Sequence, residues 1–291
     1  RRDAMKLGAT VGAGLALGGL SDSAQAARKK NQQRLTPIPR VRIGVVGIGG
    51  RGASLLRLLL DQEHVEVRAV CDLLEDRVRL AQEATVKAGQ AKPDGYFPDE
   101  RDFERLCERD DLDMVLTATP WRWHVPVCVA AMKSGHHAVT EVPAAVTIDE
   151  CWEMVETAEK YHRHCIMLEN CCYGRTEMMV LNMVRQGFLG ELIHGEAGYM
   201  HELREDRELI SPDGDVRWRL ENMIRRDGNL YPTHGLGPVA QCMNINRGDQ
   251  FDYLVSMSSI SRGLNIHYGN RFGKDHPLAT RKYALGDFNT T

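Results

Sequence analysis

The stretch Val41 to Gly52, "VRIGVVGIGGRG", decides how this chain folds. Val41 to Val46 read as a buried strand, and Gly47, Gly49 and Gly52 follow at GxGxxG spacing before "ASLLRLLLD" (53–61) continues as a helix. In such a turn the first glycine permits the sharp bend, the second lets backbone approach a pyrophosphate, and the third lets the helix pack on the strand. The N–H groups at the helix start suit phosphate. GxGxxG by itself is a weak signal, but here "VEVRAVCD" (65–72) supplies a second strand ending in Asp72, twenty residues beyond Gly52. A carboxylate there is placed for the adenine ribose hydroxyls and repels a 2′-phosphate, and no arginine directly follows it, so the pattern favours NAD over NADP.

The alternation continues outward. A helix is expected over "EDRVRLAQEATVKAG" (75–89), then strands in "LDMVLTATP" (112–120) and "HHAVTEVP" (136–143) on either side of a helix around "VPVCVAAMKSG" (125–135). Repeated βα units predict a doubly wound parallel sheet with right-handed crossovers, and ligands bind such sheets at the carboxyl ends of the strands. "TPWRWH" (119–124) and "EVP" (141–143) both fall at such ends. After the strand "RHCIMLEN" (163–170), a helix is expected through "TEMMVLNMVRQGFLG" (176–190), with its methionines in the core. "ELIHGEAGYMHE" (191–202) alternates enough to predict a strand of a second, α+β domain with an open sheet.

The 291 residues carry a net charge of −3 and 26% charged residues, without a basic face for nucleic acid. The eight cysteines show no CxxC spacing, and most lie in apolar runs as small buried hydrophobes. Cys171 and Cys172 in "ENCCYG" (169–174) are adjacent, but the segment lacks the clustered ligands of a zinc site, so no metal is expected.

In "NLYPTHGLGPVAQCMN" (229–244), Pro232 and Thr233 open a helix through Val239 to Met243, with His234 in its first turn. The positive end of a helix favours an uncharged imidazole able to accept a proton. Tyr231, just before the turn, can deliver a phenol into the same space.

These features resemble the Gfo/Idh/MocA oxidoreductase superfamily. Within it, "GIGGRG", "WRWH", "EVP", "ENCCYG", "GEAGYMHE" and "NLYPTHGLGP", in this order, resemble the NAD-dependent glycosidases of family 109, the α-N-acetylgalactosaminidase group. The resemblance runs from about Val41 to the end. It implies cofactor contacts from Gly47, Gly49, Gly50, Arg51 and Gly52 in the turn, and from Asp72, Trp121, Arg122, Trp123, His124, Glu141, Val142 and Asn170. It implies sugar contacts from Tyr199, Arg219 and Tyr231, while Tyr231, Pro232, Thr233 and His234 touch cofactor and sugar alike. His234, Tyr231 and Tyr199 are the implied proton carriers. Most of the superfamily has Glu-Lys-Pro where this chain has Glu141-Val142-Pro143, and that lysine commonly assists proton transfer to the substrate oxygen; Val142 cannot.

Residues 1–27 resemble a twin-arginine leader: Arg1 and Arg2, then a mildly apolar run too short to span a bilayer comfortably, then "SDSAQAA" (21–27) with small residues for cleavage after Ala26. Residues 28–40 read as a linker, 41–165 as the nucleotide domain and 166–291 as the substrate domain, expected to be incomplete because "YALGDFNTT" (283–291) has no evident closing element. The twin-arginine route exports folded proteins, so NAD can travel inside its site, without a permanent membrane span, to the periplasm or cell surface. Free NAD should be scarce there, which favours a redox-neutral cycle on a small-molecule or glycan substrate: oxidation at sugar C3, loss of the C2 proton, elimination of the C1 aglycone, addition of water and reduction at C3. The alternatives are an exported NAD(P)-dependent sugar oxidoreductase that keeps its nucleotide and a non-catalytic sugar-binding protein. A homo-oligomer is compatible with the sequence.

Overall fold

Strand β1 (Val41–Val46) is flanked on both sides by parallel neighbours, β2 (Val65–Cys71) and β4 (Met114–Thr117). Adding β3 (Asp94–Tyr96), β5 (His137–Thr140) and β6 (Cys165–Met167) completes a six-stranded sheet in the order β3-β2-β1-β4-β5-β6, all pairs parallel. This is the doubly wound order whose crevice opens where the connections change direction, between β1 and β4. The computed structural model describes residues 38–202, 204, 209–210 and 216–291, and residues 40–291 form one compact unit. The leader (1–27) and most of the linker (28–40) lie outside the described residues.

Helices α1 (Gly50–Leu60), α2 (Glu75–Lys87), α3 (Asp102–Cys107), α4 (His124–Lys133) and α5 (Ile148–Tyr161) connect the strands. Ile43, Val45, Val67 and Val70 pack on one face of the sheet with Leu55, Leu56 and Val78. On the other, Val46, Ala69 and Val115 meet Phe103, Leu106, Val127 and Met132. A central strand buried on both faces has no polar side to show, which is why "VRIGVV" carries a single charged residue, near its start. Each fully buried valine or leucine stabilises this arrangement by about 1.5–3 kcal/mol.

The Gly-rich turn follows from steric limits. Gly47 has φ +86°, and a Cβ on it would lie 2.9 Å from the backbone of Ala118 and Thr119. At Gly52 a Cβ would sit 1.8 Å from the Gly47 carbonyl oxygen, so only glycine lets α1 descend onto the end of β1.

Beyond the sheet come α6 (Arg175–Arg185), α7 (Trp218–Arg225), α8 (Thr233–Cys242), α9 (Gly263–Phe272) and α10 (Pro277–Thr280). A short antiparallel ladder joins β7 (Met257–Ser258) to β8 (Asn289–Thr290). This half has its own core, in which Leu209, Leu220, Met223 and Leu278 surround the fully buried Tyr268.

Several sequence expectations need correction. "GEAGYMHE" is irregular chain rather than a strand: residues 191–202 pair with no partner among the described residues, and alternation alone cannot make a sheet without one. The methionines of α6 are not its buried residues: Met178 and Met179 are exposed, Met183 is half-buried, and Leu181 is the residue that helix buries. Of the cysteines, Cys71, Cys107, Cys128 and Cys172 are buried, and burial pushes the Cys71 and Cys107 thiols up to about 12; Cys151 is exposed. Strand β3 and helices α7, α9 and α10 carried too little periodicity to be read. Among the described residues no helix is long and apolar enough to cross a membrane.

The turn sterics predict a sharp contrast. Gly52→Ala is expected to cost about 3 kcal/mol or more in urea unfolding, because the opposing atom is backbone. Gly50→Ala, which meets nothing within 4 Å, should stay within about 0.5 kcal/mol of the parent.

Candidate active site

A cleft of about 840 Å³ runs along the carboxyl ends of β1, β4 and β5, of a size for an extended ligand. Gly47, Gly49 and Gly50 border it with backbone alone. Asp72 stands at one end, accepting the N–H groups of Ile48 (2.7 Å) and Leu74 (3.0 Å), so the same carboxylate braces the Gly-rich turn. A carboxylate has about four acceptor sites, and two backbone bonds leave room for ribose hydroxyls. The fold also brings Arg77 to 3.4 Å from Asp72 and into the cleft lining, an approach that local sequence did not reveal.

Along the cleft, Arg51 donates to Glu141 at 2.7 Å, tying the Gly-rich turn to the end of β5 across the crevice. Glu141 and Val142 are buried and, with Asn170, line the wall beyond it. His124 is 1% exposed, and its ring nitrogens face the carbonyl oxygens of Pro143 (2.6 Å) and Thr119 (2.9 Å). Burial pushes this imidazole down from its ordinary pKa although both carbonyls favour its protonation. It therefore staples the "EVP" turn to the "TPW" turn.

The "WRWH" residues divide. Trp121 lines the cleft, edge-on to Trp218 (5.1 Å) and Tyr231 (5.3 Å). Trp123 instead packs edge-on against Phe103 at 5.6 Å, with Arg122 over its ring and paired to Glu100 at 2.8 Å. Neither Arg122 nor Trp123 reaches the cleft lining. The cause is the 3₁₀ turn over Trp121–Trp123, where three residues complete a turn and alternate residues cannot share a face.

In the same cleft lining as Val142, the start of α8 carries His234, as expected from "YPTH". The residue that fixes it was not anticipated. Glu169, 5% exposed at the end of β6, bonds His234 Nδ1 at 2.7 Å and accepts the Cys171 N–H at 3.0 Å. Burial pushes the Glu169 carboxyl up, but the bonds from His234 and Cys171 outweigh it and hold the group below the ordinary carboxylate range. An ionised carboxylate only accepts, so Nδ1 carries a proton, and in the neutral imidazole the acceptor is then Nε2. The close approach depends on Gly237, where a Cβ would lie 2.8 Å from Cys172 Sγ and 3.0 Å from Glu169 Cγ.

Tyr231, stacked on His234 at 5.6 Å, and Tyr199, 5.0 Å from Tyr231 and 5.2 Å from His234, complete an aromatic group that also includes His201, stacked on Tyr199. Arg219 lies 5.2 Å over Tyr231 and 5.1 Å over Trp218. Pro232 caps α8 and Thr233 begins it, and neither borders the cleft. Glu169, Cys171 and His234 bring their ligating atoms within 4.8 Å of one another, a cluster invisible in "ENCCYG" itself because His234 lies 65 residues from Glu169. The 2.7 Å separation of His234 and Glu169 is that of a hydrogen bond, with a proton occupying the space between them.

The glycine cradle, Asp72 and the buried wall fit a dinucleotide, and the fold and this site define an NAD-binding Rossmann protein. Residues 41–169 match the model of the oxidoreductase family with an NAD-binding Rossmann fold, and residues 173–291 match the C-terminal domain of glycosyl hydrolase 109. A glycosyl hydrolase family 109 protein of Solibacter usitatus is 50% identical over 293 residues, covering 100% of this chain and 66% of its own. A protein of Shewanella oneidensis named alpha-N-acetylgalactosaminidase is 48% identical over 252 residues, 86% of this chain and 54% of its own. Apo scyllo-inositol dehydrogenase from Lactobacillus casei is similar in structure, with a TM-score of 0.47 and 17% identity over 54% of this chain and 44% of its own. The chain belongs to glycosyl hydrolase family 109, and it spans 54–66% of the lengths of the two family relatives.

Glu169→Gln keeps the shape and removes the charge. A carboxylate depressed on folding stabilises fully above its unfolded pKa, about 4.3, and loses that stabilisation as pH falls through the folded value. Melting curves should therefore show wild type ahead by about 1–2 kcal/mol at pH 5–6, with the gap closing below about pH 4. A gap that widens on acidification contradicts the assignment.

Proposed function

We propose that the protein is an exported glycosidase that hydrolyses a terminal N-acetylhexosaminide, taken to be an α-N-acetylgalactosaminide, without net redox change. The observation that carries this reading is the group His234–Tyr231–Tyr199, with His234 bonded to Glu169, lining the same cleft as the buried Val142, a residue with no proton to exchange. Similarity to the Shewanella oneidensis protein supports the sugar. Tight retention of NAD, folding before passage through the twin-arginine machinery, and a periplasmic or cell-surface location belong to the same proposal. So do the division of the chain near residue 165 and association into a homo-oligomer.

When bound, NAD supplies the acceptor and then the donor of one hydride at the sugar C3. The remaining work falls to side chains. A C3 ketone acidifies the C2 hydrogen, and His234, whose neutral tautomer presents Nε2 as the acceptor when Nδ1 donates to Glu169, takes that proton. Tyr231, 9% exposed between Trp121 and His234, exchanges the C3 hydroxyl proton in this reading, which its shelter from bulk water supports. Tyr199 and Arg219 form the sugar-facing wall with it. No pair of flanking carboxylates is required.

The decisive assay uses the full-length protein purified without added nucleotide. Nitrophenyl α-N-acetylgalactosaminide should release nitrophenol with no net change in NADH absorbance, and in D₂O the sugar should gain deuterium at C2. Formation of a lactone or keto sugar instead would identify an oxidoreductase. His234→Ala should lower turnover by about 10²–10⁴-fold while leaving bound NAD in place.

A further inference from the structure

Three imidazoles line the cleft, and the mechanism above uses one of them. His124 is locked by two backbone carbonyls and His234 is oriented by Glu169. His201 remains. It is exposed, and its ring stacks on Tyr199 at 5.2 Å with the planes 14° apart.

The titratable rings run from an inner pair, Tyr231 and His234, through the half-buried Tyr199 to the exposed His201. His234, with 15% of its side chain exposed, stacks on Tyr231; both contact the half-buried Tyr199, which in turn carries the exposed His201. The proposed chemistry has a matching order. The sugar C3 must lie at the buried wall near Val142 where the cofactor reacts, C2 comes next, and the C1 oxygen leads to an aglycone that must leave into water. A group serving the C1 oxygen therefore belongs at the solvent end of the row, and His201 is the proton carrier there.

Resting on the glycosidase reading, we propose that His201 is the general acid for the departing aglycone and the general base for the water that replaces it. In the first half, the electron pair left at C2 forms the C1=C2 double bond as the C1–O bond breaks, and the His201 N–H proton passes to the aglycone oxygen. In the second, neutral His201 takes a proton from water as the new C1–O bond forms, and C2 regains its proton from the inner base. His201 ends as it began, and no electrons are exchanged outside the sugar and its nucleotide. Tyr199 holds the ring by stacking.

The test compares His201→Gln with wild type, both full length, on methyl and 2,4-dinitrophenyl α-N-acetylgalactosaminides. Loss of a general acid should cut kcat/KM for the methyl glycoside by 100-fold or more and that for the dinitrophenyl glycoside, whose leaving group needs no proton, by less than about tenfold. Incorporation of solvent deuterium at C2 should continue in the variant, and its bound NAD should be unchanged, since the ring is exposed and outside the core. Equal losses on the two substrates, no loss on either, or loss of C2 exchange together with turnover would each overturn the role of His201. Absence of C2 exchange in the wild type would instead remove the glycosidase reading itself.

Discussion

The contact between Gly52 and the carbonyl of Gly47 is the constraint on which the rest depends. With 1.8 Å between that oxygen and the place a Cβ would take, the first turn of α1 sits directly on the end of β1. That seat brings the Ile48 N–H onto Asp72 and leaves Gly49 and Gly50 bordering open space. It also aims Arg51 across the crevice to Glu141. A side chain at either glycine would lift the helix and dismantle all three consequences together.

Charge is distributed along the cleft with a clear division. At the nucleotide end, the carboxylates of Asp72 and Glu141 are matched by Arg77 and Arg51, each of which remains partly exposed. Such pairs contribute little to stability on their own and mainly hold geometry. At the other end, Glu169 is buried and its bonds run to a backbone N–H and to His234. A buried carboxylate with two donors is rigid, so the imidazole it orients is rigid too. Of this fixed pair, His234 lines the cleft that Val142 also borders.

Aromatic packing does the rest of the positioning. Trp121 meets Trp218 and Tyr231 edge-on, and Arg219 covers Tyr231 and Trp218, so this wall of the cleft is built from rings packed on one another, with Trp121 and Tyr231 buried. The wall gathers residues 121, 199, 218 and 231, and its shape is set by how α7 and α8 dock beside the sheet.

The sequence by itself determined β1, the Gly-rich turn, α1, β2 with its terminal Asp72, and a helix opening at "YPTH", because each is written in local periodicity or in residues that only one backbone conformation tolerates. The opposite holds for "GEAGYMHE", where alternation describes a strand that lacks a partner, and for Trp123 and Arg122, turned away from Trp121 by a three-residue helical turn. Tertiary structure alone decided that Glu169 meets His234, that Arg77 reaches Asp72, and that His201 joins the row of rings. Local patterns report which face of an element is buried. They carry no information on which residue from a distant element fills the space opposite, and that choice is made by packing, here by the absence of a side chain at Gly237 that lets α8 close on Glu169.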